Sequence, residues 1–441
     1  MVATPAPLSA LAHIPGRRGL PYVGVALEFI RDPYAMGRRH TERFGPVFRQ
    51  YLLGHWTVSL TGADAVEYVL GDPDGMFSSY EGWRLLHELF PGGLMLRDGA
   101  DHRAHRRVMQ AAFRASAMRD YLDGMNGGIA TLLDGWGGEM RFYPAIKDLT
   151  LKLGAAVFMG LPLEGEEAQR LNRAFQAEVA ASLALIRAPV PGLAYKRGLD
   201  ARAYLTGRFA EMIPERRARP GPDFFSQLVA ATEDGWSEQD IVDHLNFLMM
   251  AAHDTTTSAL TTMVWALANQ PEWQEAIREE IAGIGGTTLD YDDAARMELT
   301  ERVFKEALRF MPPLAFIPRQ AERAFTWAGM EIPAGAHVGV SPGAVMISEE
   351  YWSHPDRFDP DRFSPERAED RSHRFAWCPF GGGAHKCIGM HFALLQVRAF
   401  TFQFLRRFRV EAVAGTDADW ARVPIAKPKN GLPLRLVPLG H

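Results

Sequence analysis

A ten-residue stretch, Phe380-Gly381-Gly382-Gly383-Ala384-His385-Lys386-Cys387-Ile388-Gly389, constrains this chain more than any other. Its glycines and Phe predict a tight loop that presents one Cys just ahead of an apolar helix beginning Met390-His391-Phe392-Ala393-Leu394-Leu395. At a helix N-terminus, unpaired N–H groups and the positive dipole end favour thiolate over thiol. Gly383 and Gly389 are expected to take backbone angles or close approaches that a side chain would block. A thiolate held in this way suits a soft metal centre. The loop lacks the Gly-Lys-Ser/Thr of a phosphate-binding loop, and one Cys cannot complete a zinc site. The other cysteine, Cys378, lies before Pro379-Phe380 and reads as a small buried residue.

Composition narrows the setting. Two cysteines in 441 residues exclude a disulfide framework and favour a reducing cytoplasm. A net charge of -5 gives no reason to expect nucleic acid. No basic segment followed by an apolar core opens the chain, and no uncharged run approaches the roughly 20 apolar residues of a membrane span. The chain therefore reads as soluble, without a transmembrane anchor.

Local patterns give mainly helices with small sheets, an α+β chain. Residues 13–33, rich in Pro and Gly, predict an extended lead-in, after which Asp32-Pro33 opens a helix. Residues 47–52 and 56–60 alternate as two strands, and Ala63 to Leu70 has helical spacing. Phe77 to Leu96 is apolar but broken by Gly82, Pro91, Gly92 and Gly93, as a covering loop would be. His102 and Arg106 lie four apart on one helical face. Residues 120–235 alternate helical stretches with breaks, one of them Ala188–Tyr195.

Ser237 and Asp240 form a variant capping box at the start of a helix running to about Asn269, ahead of Pro271. Its buried stripe is interrupted by Ala251-Ala252-His253-Asp254-Thr255-Thr256-Thr257-Ser258. Hydroxyls and a carboxylate inside a core helix are costly unless hydrogen-bonded; bonding back to the i−4 carbonyl is one explanation. Leu299 to Phe310 reads as a helix with Glu306 and Arg309 on one face. Residues 325–338 read as a hairpin, and 408–413 and 432–437 as strands.

Together the Cys loop, Glu306-x-x-Arg309, Pro360-Asp361-Arg362-Phe363 and Asp254-Thr255 resemble the cytochrome P450 family from end to end. The resemblance implies one haem-enclosing domain over residues 1–441, with 1–30 as lead-in. It implies haem b with Cys387 as axial ligand in a loop shaped by Phe380, Gly383, His385 and Gly389. His102, Arg106, Arg319 and His385 would neutralise the haem propionates. Ala251 would lie against the haem, and Asp254 with Thr255 would relay protons during oxygen activation. Ala252 stands where the family usually has Gly, which puts the local kink in doubt more than the chemistry. Glu306, Arg309 and Arg362 would form a buried cluster bracing the Cys loop. Trp83, Leu86, Phe90, Leu94, Phe247, Ala251, Leu314, Phe316 and Ile425 would line the substrate pocket, and the 188–195 break would be a lid.

The implied activity is insertion of one oxygen atom from O2 into a hydrophobic small molecule: a steroid, terpenoid, carotenoid or retinoid, or fatty acid. The pocket loop and the lid break resemble the sterol- and retinoid-oxidising branch. Electrons would come from a ferredoxin or flavodoxin and its NAD(P)H-dependent reductase, docking near Arg103, Arg107, Arg371, Arg374 and Lys386. A bacterial-type cytoplasmic monomer is expected. The alternatives are a peroxide-driven peroxygenase of the same fold, against which Asp254-Thr255 counts, and a haem-binding sensor or carrier without turnover.

Overall fold

The computed structural model describes residues 4–440 except 53, 162–164, 183, 185 and 231–234. The chain divides into two compact units: Met1–Arg84 with Lys305–Cys387 and Asp419–Lys427, and Leu85–Phe304 with Ile388–Ala418 and Pro428–His441.

The first unit is built on a six-stranded sheet. Val47–Leu52 and His55–Leu60 pair antiparallel, Val47 opposite Leu60. His337–Val340 then adds parallel to the second strand, and Ile317–Ala321 adds antiparallel to that. Short strands Gly16–Arg17 and Phe77–Ser78 close the two edges. Val58, Leu60, Val338 and Val340 are almost fully buried, as β-branched and aliphatic side chains on a covered sheet should be. Helix Ala63–Gly71 adds Val66, Val69 and Leu70 to this core, which also takes in Phe375 and Cys378 from beneath the Cys loop.

Two expectations change here. The lead-in is not simply extended, because it contains strand Gly16–Arg17 and helix Ala26–Arg31. In the 325–338 hairpin only Phe325–Trp327 and Met330–Ile332 pair with each other. His337–Val340 leaves it to join the large sheet, where strands on both sides satisfy its backbone.

The second unit is helical, around helix Glu238–Asn269. Asp240 completes the capping box: Ser237 Oγ accepts from the Asp240 N–H at 3.1 Å, and the Ser237 N–H donates to the Asp240 carboxylate at 3.0 Å. Helix Phe142–Met159 packs along it, with Thr150 and Thr257 hydroxyls bonded at 2.6 Å. Strands Phe408–Ala412 and Pro433–Pro438 pair antiparallel, and Gly138–Arg141 adds a third strand. Among the described residues no helix is long and apolar enough to cross a membrane.

Candidate active site

In the first unit the Cys loop closes on itself. The Cys387 N–H donates to Phe380 O at 2.9 Å and the Gly381 N–H to Cys378 O at 3.1 Å. Gly383 takes a left-handed φ of 59°, and a Cβ there would lie 2.2 Å from Leu70 O. A Cβ on Gly382 would meet the Phe375 ring at 2.5 Å. Gly383 can therefore seat on the end of helix Ala63–Gly71, and Gly382 against the Phe375 ring, only without side chains.

Gly389 differs from expectation. Its φ is -86°, and a Cβ would have nothing within 4 Å, so neither backbone angle nor a protein contact requires glycine there. The helix begins at Met390, which sets Cys387 two residues ahead of the Gly389 N-cap. Cys387 is exposed while Cys378 is buried, and burial pushes the Cys378 thiol up to about 12. Neither forms a disulfide.

Glu306, Arg309 and Arg362 are fully buried and meet. Arg309 grips the Glu306 carboxylate in bidentate fashion, Nε at 2.7 Å and Nη2 at 2.8 Å, while Arg362 Nε adds 3.1 Å. Remaining donors go to carbonyls of Met346, Pro355, Ser353 and Arg357, and the Asp359 N–H donates to Glu306 at 2.9 Å. Burial pushes the Glu306 carboxyl up, and the two guanidiniums pull it back. A fourth member, Glu369, takes Arg362 Nη1 at 3.0 Å; against desolvation, hydrogen bonds from Arg367 and Ser353 hold its carboxyl at about 2. Trp377 links the cluster's helix to the loop, donating from Nε1 to Lys305 O at 3.2 Å and packing edge-on to Phe380.

Arg319 is buried on its strand and, with His385, acts electrostatically on Asp72, whose carboxyl burial raises. Of the proposed pocket wall in this unit, Trp83, Leu314 and Ile425 are half-buried. The Ala426 N–H reaches Pro313 O at 3.2 Å, so the turn holding Ile425 lies against the Pro313-Leu314 segment. Phe316 is committed elsewhere. Its ring covers Gly339, where a Cβ would lie 1.7 Å away, and packs edge-on to Phe29.

In the second unit the long helix is buried from Leu245 to Met249 and from Thr256 to Val264. Between these stretches Met250, Ala251, Ala252 and Thr255 are half-exposed. The helix continues unbroken through Ala252. Thr255 Oγ1 donates to Ala251 O at 2.8 Å, and Thr257, Thr261 and Thr262 bond back in the same way. Asp254 is buried, with Lys147 Nζ 2.9 Å from Oδ1 in an ion pair. Burial takes the neighbouring His253 imidazole down to about 4. His102 is buried and Arg106 half-buried on helix Gly99–Ala111.

The covering loop is clamped to the long helix. A Cβ on Gly93 would lie 2.4 Å from the Phe247 ring, and one on Gly92 would lie 2.5 Å from the Asp243 carboxylate. Phe90 and Leu94 are buried by this packing, whereas Leu86 is half-buried. The 188–195 break is tied to the same loop. Arg187 donates to Leu85 O at 2.6 Å and stacks on Tyr195, whose hydroxyl donates to the Glu88 carboxylate.

The sequence reading missed Glu178. It is fully buried, accepts from Asn246 Nδ2 at 2.7 Å, and burial raises its carboxyl to about 8. The signal was present, because Glu178 follows Leu171 and Phe175 on one buried helical stripe.

Helices with small marginal sheets, an exposed cysteine on a glycine loop and a buried charge cluster behind it define the class of haem-thiolate oxidoreductases. The family model for cytochrome P450 matches residues 14–422. A putative cytochrome P450 136 of Mycobacterium tuberculosis is 37% identical over 99% of this chain and 91% of its own length. A taxane 10-beta-hydroxylase of Taxus cuspidata is 26% identical over 96% of this chain and 89% of its own. The structure of a retinoic acid-bound cyanobacterial CYP120A1 superposes with a TM-score of 0.88 at 26% identity, covering both chains completely. The chain belongs to the cytochrome P450 family. It is thus a monooxygenase with haem as its cofactor.

The residues present fit that cofactor. An exposed sulfur on a fixed loop supplies a soft donor. The small, half-exposed side chains of Ala251, Ala252 and Thr255 interrupt the buried middle of their helix and leave room beside it.

Proposed function

We propose that this enzyme hydroxylates an apolar isoprenoid, with Cys387 as the residue that holds the haem iron. The contrast between exposed Cys387 on its closed loop and buried Cys378 carries the assignment. Haem, when bound, supplies the electron transfer and oxygen activation; the thiolate sets its electronics. Arg319 and His385, with His102 and Arg106, would neutralise its carboxylates, charges costly to bury alone. Phe380 and Gly383 shape the loop, and Gly389 and Ala251 leave room for the group.

Asp254 and Thr255 manage protons. Thr255 Oγ1 already spends its own proton on Ala251 O, which leaves its lone pairs to accept. Asp254, paired to half-exposed Lys147, connects the buried helix to solvent and can turn toward Thr255 by exchanging that partner.

The substrate class is supported by chemistry shared among relatives: retinoic acid and taxanes are both isoprenoid, oxygenated and largely apolar. Trp83, Leu86, Phe247, Leu314 and Ile425 offer a matching lining. Phe90, Leu94 and Phe316 act behind it as packing. Electrons would come from a separate ferredoxin or flavodoxin and its reductase. Exposed Arg371 and Lys386 could meet an acidic partner, as could Arg103 and Arg107, whereas Arg374 is paired with Glu67 at 3.1 Å. We place the enzyme, as a monomer, in the reducing cytoplasm, in keeping with two thiols outside any disulfide.

Titrating the haem-loaded protein with retinoic acid, a diterpene and a fatty acid, and following displacement of water from the haem spectrum, tests the substrate. A response to the fatty acid alone would remove the isoprenoid reading.

A further inference from the structure

Ten large hydrophobic side chains stand exposed among the described residues, and five fall within one short segment: Leu20, Tyr22, Val23, Leu27 and Ile30. Tyr22 is 87% exposed and Leu27 60%. The segment is firmly held. Leu20 and Gly24 exchange backbone hydrogen bonds at 3.0 and 2.9 Å, and the Val25 N–H donates to Tyr51 O at 2.8 Å. A Cβ at Gly24 would lie 1.8 Å from that carbonyl oxygen, so the turn sits directly on strand Val47–Leu52. Leu27 and Ile30 share the outer face of helix Ala26–Arg31. A fixed turn that holds apolar side chains outward loses little conformational freedom on docking.

Beside it lies a shallow cavity of about 380 Å3 lined by Arg17, Arg39, His40, Glu42 and Arg43. From Arg17 to Arg43 there are six arginines (17, 18, 31, 38, 39 and 43) against three carboxylates (Glu28, Asp32, Glu42), although the whole chain carries -5. Glu28 pairs with both Arg17 and Arg39, at 2.8 and 3.6 Å, and ties the cavity to the apolar helix. The local excess of positive charge is thus joined to the apolar tip.

We propose that this tip and its arginine groove dock the enzyme on an anionic lipid bilayer. Leu20, Tyr22, Leu27 and Ile30 enter the headgroup layer, and the guanidiniums pair with lipid phosphates. A second copy of the chain on the same surface would set arginines against arginines. An acidic soluble protein would satisfy the charges but leave protruding Tyr22 and Leu27 unmatched. Peripheral docking would hold the enzyme where an apolar substrate is concentrated; the surface itself stands independently of which substrate that is.

Flotation of the haem-loaded full chain with vesicles tests this. Binding is expected to mixed phosphatidylglycerol and phosphatidylcholine at low salt, and to fall about ten-fold at high salt or on phosphatidylcholine alone. Y22D/L27D should lose flotation while keeping its haem spectrum, and R39E/R43E should do the same. No flotation, equal flotation of either double variant, or salt-insensitive binding would overturn the proposal. So would a concentration-dependent dimer, abolished by Y22D/L27D, in protein that ignores vesicles.

Discussion

Lys147 Nζ lies 2.9 Å from Asp254 Oδ1, so the carboxylate proposed to deliver protons is anchored by a lysine on a neighbouring helix. The pair fixes which changes should matter. D254N keeps shape but removes the titrating group, and should slow product formation on the order of 10²-fold while NAD(P)H consumption persists without product. Unchanged coupling of reductant to product would sink the relay.

K147M probes the same pair through stability. It leaves a buried carboxylate without its cation, at a cost of roughly 1–3 kcal/mol, discounted from a fully buried pair because Lys147 is half-exposed. Denaturant unfolding within a few tenths of wild type would show that the ion pair is incidental.

The two loop glycines should part company. G383A needs a strained φ and collides with a backbone oxygen, and should destabilise the protein on the order of 2–4 kcal/mol. G389A meets no protein atom and should leave the haem-free protein within about 0.5 kcal/mol of wild type. If G389A nevertheless loses haem, the cofactor itself is what the glycine accommodates. Equal destabilisation of both haem-free variants would contradict this geometry.

Much of this was legible in sequence where the cause is local. The long helix was read end to end because Ser237, Asp240 and Pro271 are stop and start signals acting within a turn. The meeting of Glu306 with Arg309 and distant Arg362 is expected from the family resemblance, since helical spacing alone places only Glu306 beside Arg309. What escaped depends on distant partners. Gly138–Arg141 is mostly exposed and polar, and is a strand only because Pro433–Leu436 pairs with it. His337 and Val338 looked like the end of a hairpin arm, yet they open a strand that pairs with two others. Gly389 looked like a backbone requirement, but its ordinary φ and the open space around it depend on how distant segments pack.

Glu178 predicts a pH dependence. Its carboxyl stands at about 8 in the folded protein against an ordinary 4.5, because burial disfavours the charge. Below pH 4.5 both states hold the proton and the contribution is complete. Between there and pH 8 the unfolded chain releases it and the folded one does not, so stability falls as pH rises. E178Q can still accept from Asn246 and should remove this slope, gaining on the order of 1–3 kcal/mol near neutrality. Parallel stability profiles for wild type and E178Q would refute it.

Thiol identity is the simplest check. C387A should lose the thiolate-type carbon monoxide spectrum, and C378A should keep it, with a cost of about 1 kcal/mol from the small void. The reverse pattern would overturn the ligand assignment.

The cluster behind the loop has a consequence for engineering. Glu306, Glu369 and Asp359 balance Arg309, Arg362 and Arg367, three charges against three, with Glu306, Arg309 and Arg362 fully enclosed. Any one-step change that alters charge at the three enclosed positions strands a partner, at roughly 3–5 kcal/mol, against a total stability of about 5–15 kcal/mol for an ordinary protein. E306A should therefore yield little haem-loaded protein, and a stable holoenzyme would disprove that. Libraries aimed at new substrates would draw on the proposed lining, Trp83, Leu86 and Ile425, whereas the enclosed charges call for simultaneous replacement of partners. A single substitution there removes a large share of the stability that later changes would draw on.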